Sequence, residues 1–286
     1  MISLYRLLTI LLPVLAAVVI TVGAYVRLTH AGLGCPDWPG CYGQLFVTEN
    51  TQYDIEKPHE LARPVESGKA WREMFHRYIA ASLGLGIIVL FALSFSAAIQ
   101  PRQTKLLGAL VFLVAFQGAL GMWTVTLLLK PLVVTAHLFG GLATLSLLFW
   151  HLLRHFWSRE RQLLRSKGTV RFAGLALIVL IGQIFLGGWT STNYAALACT
   201  DFPSCHGSYW PQMDFVEGFT LWRGLGIDYE YGVLESPART AIHFSHRLWA
   251  MVTALVLIVV AFQAIMRDLP AVKTVVERRK LYDRFR

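Results

Sequence analysis

Two short stretches carry histidine at matching places in the chain: Glu73-Met74-Phe75-His76-Arg77 and His243-Phe244-Ser245-His246-Arg247, offset by 170 residues. A further histidine, His137, lies five residues into another long apolar run. Imidazoles bind metals and carry protons near neutral pH. One alone near a membrane interface is commonly a hydrogen-bonded structural residue. Two on separate helices at one depth, His76 with His137, can instead grip a planar iron macrocycle, and an apolar helical bundle suits haem. His246 holds the place of His76 in the repeat and is read as a ligand too. Arg77 and Arg247, each beside a candidate ligand, either neutralise haem propionates or anchor the chain at the interface. His151 and His155 lack such neighbours and read as interface residues near the inner face.

Glu73 stands three residues before His76, hence one turn away on the same helix face. A carboxylate there can orient a water, take a proton or balance a developing charge. The plainer alternative is a salt bridge to Arg72 or Arg77. The second half has His243 in that place, which predicts a reactive first half and an electron-carrying second half.

All four cysteines fall in a repeated C-x-D-aromatic-P-x-C-x-G pattern, Cys35 to Gly43 and Cys199 to Gly207, offset by 164 residues. Cys35 with Cys41 and Cys199 with Cys205 are natural pairs in an oxidising compartment. They either staple a small loop over a helix end or exchange electrons with a partner. The spacing is neither the C-x-x-C of thiol oxidoreductases nor the C-x-x-C-H of covalent haem attachment, and zinc lacks two further ligands nearby.

These residues need helices to position them. Of 286 residues, 55% are apolar, and six runs are long enough to cross a bilayer: about 7–26, 78–99, 106–129, 132–153, 172–190 and 240–266. Backbone groups in lipid must pair within their own segment, which makes the fold an all-α polytopic membrane bundle. The first run is too long for a cleaved signal and is read as a span kinked by Pro13. With the N-terminus inside, inner segments hold 16 of the 26 Lys and Arg but four of the 17 acids. The net charge of +9 is thus a topology signal, placing both cysteine loops outside and giving no surface for nucleic acid.

The long outer segments, about 29–77 and 191–239, are rich in Trp, Tyr and Pro and read as caps, with Tyr209-Trp210-Pro211 and Trp222-Arg223 at the membrane interface. Another echo, Gln117-x-x-Leu120-Gly121-x-Trp123-Thr124 and Gln183-x-x-Leu186-Gly187-x-Trp189-Thr190, marks the outer ends of the third and fifth spans. Gly118, Gly187 and Gly188 are expected to let helices approach closely.

The run Gly23-Ala24-Tyr25-Val26-Arg27-Leu28-Thr29-His30-Ala31-Gly32-Leu33-Gly34-Cys35-Pro36-Asp37-Trp38-Pro39, with Glu73-x-x-His76-Arg77, the Gln117 motif and His137, closely resembles the haem A synthase family of bacteria and mitochondria. The resemblance reaches about Met266. It implies two successive hydroxylations of the C8 methyl group of haem O, giving a geminal diol that loses water to leave the formyl group of haem A, for terminal oxidases. It also implies two related four-helix halves, the first handling haem O and the second holding haem b. By that likeness His76 and His137 match the N-terminal haem ligands, Glu73 the important acid, Cys35 and Cys41 the first-loop pair, and His246 one ligand of the second haem.

The expected organisation is a substrate half at 1–153, an inner linker at 154–171, an incomplete second half at 172–266 and a charged tail at 267–286. The family has eight spans, the eighth supplying the other C-terminal ligand, whereas this chain ends after six. His243 cannot replace that ligand, since two residues on one helix face cannot grip opposite faces of a porphyrin. The expectation is an incomplete chain; a completing subunit or an inactive copy would also account for the two missing spans. Rival readings of the residues are a non-catalytic membrane cytochrome or haem carrier, which has no use for Glu73, and an outer-face thiol oxidoreductase holding quinone. Expected partners are membrane lipid, an electron acceptor, a transiently associated haem O synthase and a second copy of the chain. The expected location is a bacterial inner membrane.

Overall fold

The computed structural model describes residues 2–46, 66–96, 98–99, 103–156 and 167–284. Among them seven helices form: α1 (Ile2–Leu28), α2 (Ser67–Leu93), α3 (Thr104–Thr126), α4 (Pro131–Phe156), α5 (Lys167–Thr192), the short α6 (Phe215–Gly218) and α7 (Ser236–Arg284). Six of these are long and apolar enough to cross a membrane, with α7 doing so over Ser236–Gln263. Large apolar side chains such as Leu11 and Val14 on α1, Leu177 and Ile178 on α5, and Leu255 and Ile258 on α7 are exposed along them. Water does not tolerate an apolar surface of that extent, and lipid does. The chain is an all-α integral membrane protein.

Helices α1 to α4 close a ring in which α1 touches α2 and α4, and α3 touches the same two. Therefore α2 and α4 stand at diagonal corners. An apolar core of Leu12, Ala16, Leu83, Ile87, Leu110 and Leu148 fills the half of this ring remote from the cysteine loops. Helix α5 leans on α4 and pairs with α7, and α6 packs on α7. Pro131 opens α4 and Pro237 sits in the first turn of α7, where a missing N–H costs no helical bond. Helix α1 is continuous through Pro13.

Several boundaries differ from the sequence expectation; α1 begins at Ile2 rather than near Leu7, and α2 ends at Leu93 rather than near Ile99. Helix α2 starts at Ser67, not near Tyr78, so Glu73 and His76 lie well inside a helix. Hydropathy marks where charges begin, whereas helix formation continues through Lys69, Ala70, Arg72 and Glu73, all good helix formers in isolation, assisted by the Glu66–Lys69 and Glu73–Arg77 pairs. Helix α7 likewise continues past Met266 to Arg284, so most of the charged tail is the sixth crossing helix prolonged. The linker expected at 154–171 lies largely outside the described residues.

The second long segment packs closely. Asp214 caps α6 by accepting from Glu217 N at 2.9 Å, and Trp189 Nε1 donates to Gly218 O at 2.9 Å. A Cβ on Gly218 would lie 2.9 Å from Ala238 O, so only glycine lets α6 approach α7 this closely. The segment then reaches the α3–α4 hairpin. Tyr229 N donates to Leu128 O at 3.1 Å, while buried Lys130 donates to Gly224 O and sets its ammonium 3.4 Å from the centre of the Trp222 ring. Trp222, expected at the lipid interface, is thus the cation's platform. Replacing Lys130 by Met should weaken this docking by roughly 1–3 kcal/mol. Limited proteolysis within 219–235 should become faster; an unchanged rate would mean that Lys130 does not hold the segment.

Candidate functional site

Both cysteine loops are built on the same plan. Disulfides join Cys35 to Cys41 and Cys199 to Cys205, with Cα atoms 4.8 Å apart in each. The carboxylate of Asp37 accepts from Tyr42 N at 2.5 Å and Gly43 N at 2.9 Å; that of Asp201 accepts from His206 N at 2.7 Å and Gly207 N at 3.0 Å. Tyr42 and His206 have φ of 52° and 54°, followed by Gly43 at 74° and Gly207 at 71°. Two consecutive left-handed residues turn their N–H groups inward, and an anionic side chain must receive them. The aspartate in the repeated pattern was the signal for this, and sequence reasoning assigned it no role. The Ser204 hydroxyl and the Gly207 amide hold the Asp201 carboxyl down at about 2.

Each loop is latched to the helix that carries the candidate ligand. Buried Glu73 on α2 accepts from Cys35 N through Oε2 at 2.9 Å and from Arg77 Nη2 through Oε1 at 2.5 Å. Arg77 also donates through Nη1 to Asp37 O at 2.9 Å and Gly40 O at 2.6 Å. In the second half Cys199 N lies 3.1 Å from His243 Nδ1, and Arg247 Nε lies 3.2 Å from His243 Nε2. Arg247 donates to Asp201 O at 2.6 Å and Cys199 O at 2.8 Å. Glu73 and His243 therefore occupy one structural place. They are not equal in it: a carboxylate accepts from both donors, whereas a neutral imidazole has a lone pair on only one nitrogen. Both arginines point their guanidinium groups at loop carbonyls.

The three candidate ligands share a setting that the sequence did not disclose. Each imidazole rests on a glycine of the preceding spanning helix. A Cβ on Gly23 of α1 would lie 2.9 Å from His76 Cε1, one on Gly121 of α3 3.4 Å from His137 Cε1, and one on Gly187 of α5 3.3 Å from His246 Cε1. Each of these glycines stands five residues before the end of its helix, so all three contacts lie at one depth near the cysteine-loop end. His76 and His137, on diagonal α2 and α4, have buried Nδ1 atoms with no hydrogen-bond partner. Gln117 Nε2 donates to the backbone oxygen of His137 at 2.5 Å, and the Gln183 amide lies 3.1 Å from His246 Nδ1. Gly188 packs on Thr135 and Leu138 of α4, as expected of a packing glycine, but Gly118 has nothing within 4 Å of a Cβ because it faces out of the bundle.

His151 corrects the sequence reading. It is fully buried rather than interfacial, with Nε2 at 3.4 Å from Tyr5 Oη and 3.3 Å from Thr9 Oγ1. It lies at the end of α4 remote from the cysteine loops, where α1 supplies polar partners that no spacing within α4 reveals; His155 packs against the same Tyr5 ring.

Two half-buried imidazoles on diagonal helices, each with an unpartnered Nδ1, suit the iron of a planar macrocycle, which can take one protein ligand on each side. Among the described residues no three His, Cys, Asp or Glu side chains converge on a point, as a bare metal ion would require. The second half offers His246, whose Nδ1 lies beside the Gln183 amide, while His243 is engaged by its loop.

These features define a polytopic membrane protein with paired histidines under a stapled loop. Residues 6–278 match the family described as cytochrome oxidase assembly protein, and the chain belongs to that family. It is 46% identical over 258 residues to the haem A synthase of Shewanella oneidensis, covering 87% of this chain and 76% of that protein. It is 28% identical over 276 residues to the haem A synthase of Erythrobacter litoralis, covering 86% and 76% respectively. It is also 27% identical over 202 residues to the haem A synthase of Halalkalibacterium halodurans, covering 68% and 62%.

The depressed Asp201 carboxyl makes a pH prediction. A group whose folded value lies below its unfolded one contributes fully above the ordinary aspartate range, about 4, and its contribution is lost as pH falls toward about 2. Reduction of Cys199–Cys205 by a phosphine should therefore accelerate across that window. Asp201→Asn should be fast throughout; if it tracks the unmodified protein, the carboxylate does not order the loop.

Proposed function

We propose that this protein is a haem A synthase, oxidising the C8 methyl group of haem O to the formyl group of haem A. The observation that carries the reading is the pair of imidazoles His76 and His137, at one depth on diagonal helices, each with an Nδ1 that has no hydrogen-bond partner. In this reading they take the substrate iron between them, and the glycine facing each ring leaves its edge room to turn. Glu73 is the reactive acid. One helical turn from His76, it is held still by Cys35 N and Arg77, so that its position relative to the porphyrin is set before substrate arrives. The disulfide acts through Glu73: by fixing the loop, it fixes the amide that orients the carboxylate. Arg77 and Arg247 serve haem binding by holding the loops as roofs that exclude water.

His246 is assigned to haem b, and Gln183 beside its Nδ1 orients the ring for iron at Nε2. Haem b, when bound, supplies a one-electron carrier. No second ligand for that haem is assigned among the described residues. The halves are assigned as substrate half, 1–153, and electron-carrying half, 172–266. The excess of Lys and Arg on the remote end supports the reading that the cysteine loops face outward from a bacterial inner membrane. Haem O synthase is the proposed supplier of this poorly soluble substrate, and the acceptor of the electrons is a separate partner.

Haem extraction and chromatography from cells that make haem O test the reading. Haem A should form with the unmodified chain and vanish with His76→Ala or His137→Ala. Glu73→Gln should lower haem A at least about tenfold while leaving haem O bound, because the amide still accepts from Cys35 N but holds no proton-accepting charge. Protein that holds haem without ever changing its side chain would make it a carrier instead.

A further inference from the structure

At the seam between the halves, three polar side chains converge and are left short of acceptors. Arg27, one turn beyond Gly23 on α1, donates through Nη2 to Ser191 O at 2.5 Å and lies over the Tyr194 ring, 4.0 Å from its centre. His30 stacks on the same ring, 5.7 Å between centroids and 7° from parallel, and leans on Tyr231 at 5.0 Å. The Nδ1 of His30 and the hydroxyl of Tyr194 are both buried without a hydrogen-bond partner.

These are repeat-equivalent residues meeting each other. Arg27 and Ser191 are 164 residues apart, as are His30 and Tyr194, the same offset that relates the cysteine loops. His30 and Tyr194 both follow a spanning helix with left-handed backbone, at φ 51° and 54°. The seam therefore has near two-fold geometry but unequal chemistry. The first half contributes the cation and the imidazole, the second a hydroxyl and an aromatic face.

Four other described cations at this end are engaged. Arg77 is paired with Glu73, Lys69 with Glu66 at 2.7 Å, Arg223 with Glu217 at 2.5 Å, and Lys130 lies on Trp222. Among the described residues no carboxylate pairs with Arg27. A partly buried guanidinium, an unpartnered imidazole nitrogen and an unpartnered phenol together form an acceptor-seeking set, and a carboxylate satisfies all three. Arg27 stands four residues, or about 6 Å along the helix, beyond the glycine that backs His76. Polar side groups of a porphyrin held by His76 would extend toward that level.

We propose that Arg27, His30 and Tyr194 form a carboxylate-binding subsite that receives a propionate of the haem held by His76 and His137. The subsite rests on the reading of those histidines as ligands. It fixes the rotation of the porphyrin about its iron, and with it which methyl group faces Glu73. Because Tyr194 belongs to the second half, the substrate is oriented by both halves at once.

The test is titration of the purified full chain, carrying His246→Ala throughout to remove the ligand assigned to haem b, in detergent with iron protoporphyrin and, separately, with its dimethyl ester, followed by visible absorbance. The free acid should bind about tenfold more tightly than the ester. Arg27→Ala should weaken the free acid about tenfold and leave the ester nearly unchanged, erasing the preference. Tyr194→Phe, which keeps the ring stack and removes only the hydroxyl, should lower the preference about threefold, guarding against a folding defect in the arginine variant. An acid-to-ester ratio unchanged in both variants, with binding still abolished by His76→Ala, would overturn the subsite alone. Haem binding that survives both His76→Ala and His137→Ala would overturn the ligand assignment, and the subsite with it.

Discussion

Close approach of helices around an imidazole is the constraint on which this bundle depends. In lipid there is little hydrophobic gain in bringing two apolar helices together, so association comes from packing and from the few polar groups they share. Here Gly23, Gly121 and Gly187 each present bare backbone to a histidine of the next spanning helix. A methyl group at Gly23 would come within 2.9 Å of the ring, so the imidazole would have to shift. The glycines thus leave room for the three imidazoles at one depth, and the apolar core at the remote end holds the helices that present the first pair.

The loops follow from the same economy. A loop at a membrane surface must satisfy its own backbone, and each does so around an aspartate that collects two amides, with a disulfide closing the ring. What fastens each loop to its helix differs between the halves: a carboxylate with an arginine in one, an imidazole with an arginine in the other. Glu73 accepts from both its donors, and His243 can satisfy one. The same exchange that gives the first half its acid also gives its latch an acceptor for each donor, whereas the second latch has one donor too many.

The seam between the halves shows why a duplicated chain need not be a duplicated site. Equivalent residues meet there, and the differences between Arg27 and Ser191 and between His30 and Tyr194 give a symmetric contact unequal chemistry. Lys130 on Trp222 ties the second loop segment to the first half in the same region. Neither half's loop end is complete without the other.

The sequence by itself determined that the chain crosses a membrane in helices, that it is built twice, and that its cysteines and two of its histidines recur at matching positions, because apolar run length and repetition are properties of one dimension. It also placed His76, His137 and His246 near one end of the spans. It set the start of α2 about three turns too late for Glu73 and His76 to be read as interior, since hydropathy registers charge and not helix formation. It sent His151 to the interface, since its partners Tyr5 and Thr9 lie on another helix. The task of Arg77 and Arg247, the glycine behind each imidazole and the meeting of Arg27 and His30 with residues 164 positions away were decided only by tertiary structure. Such contacts depend on which faces of separate helices turn toward each other, and that is fixed by packing across the bundle rather than by spacing along the chain.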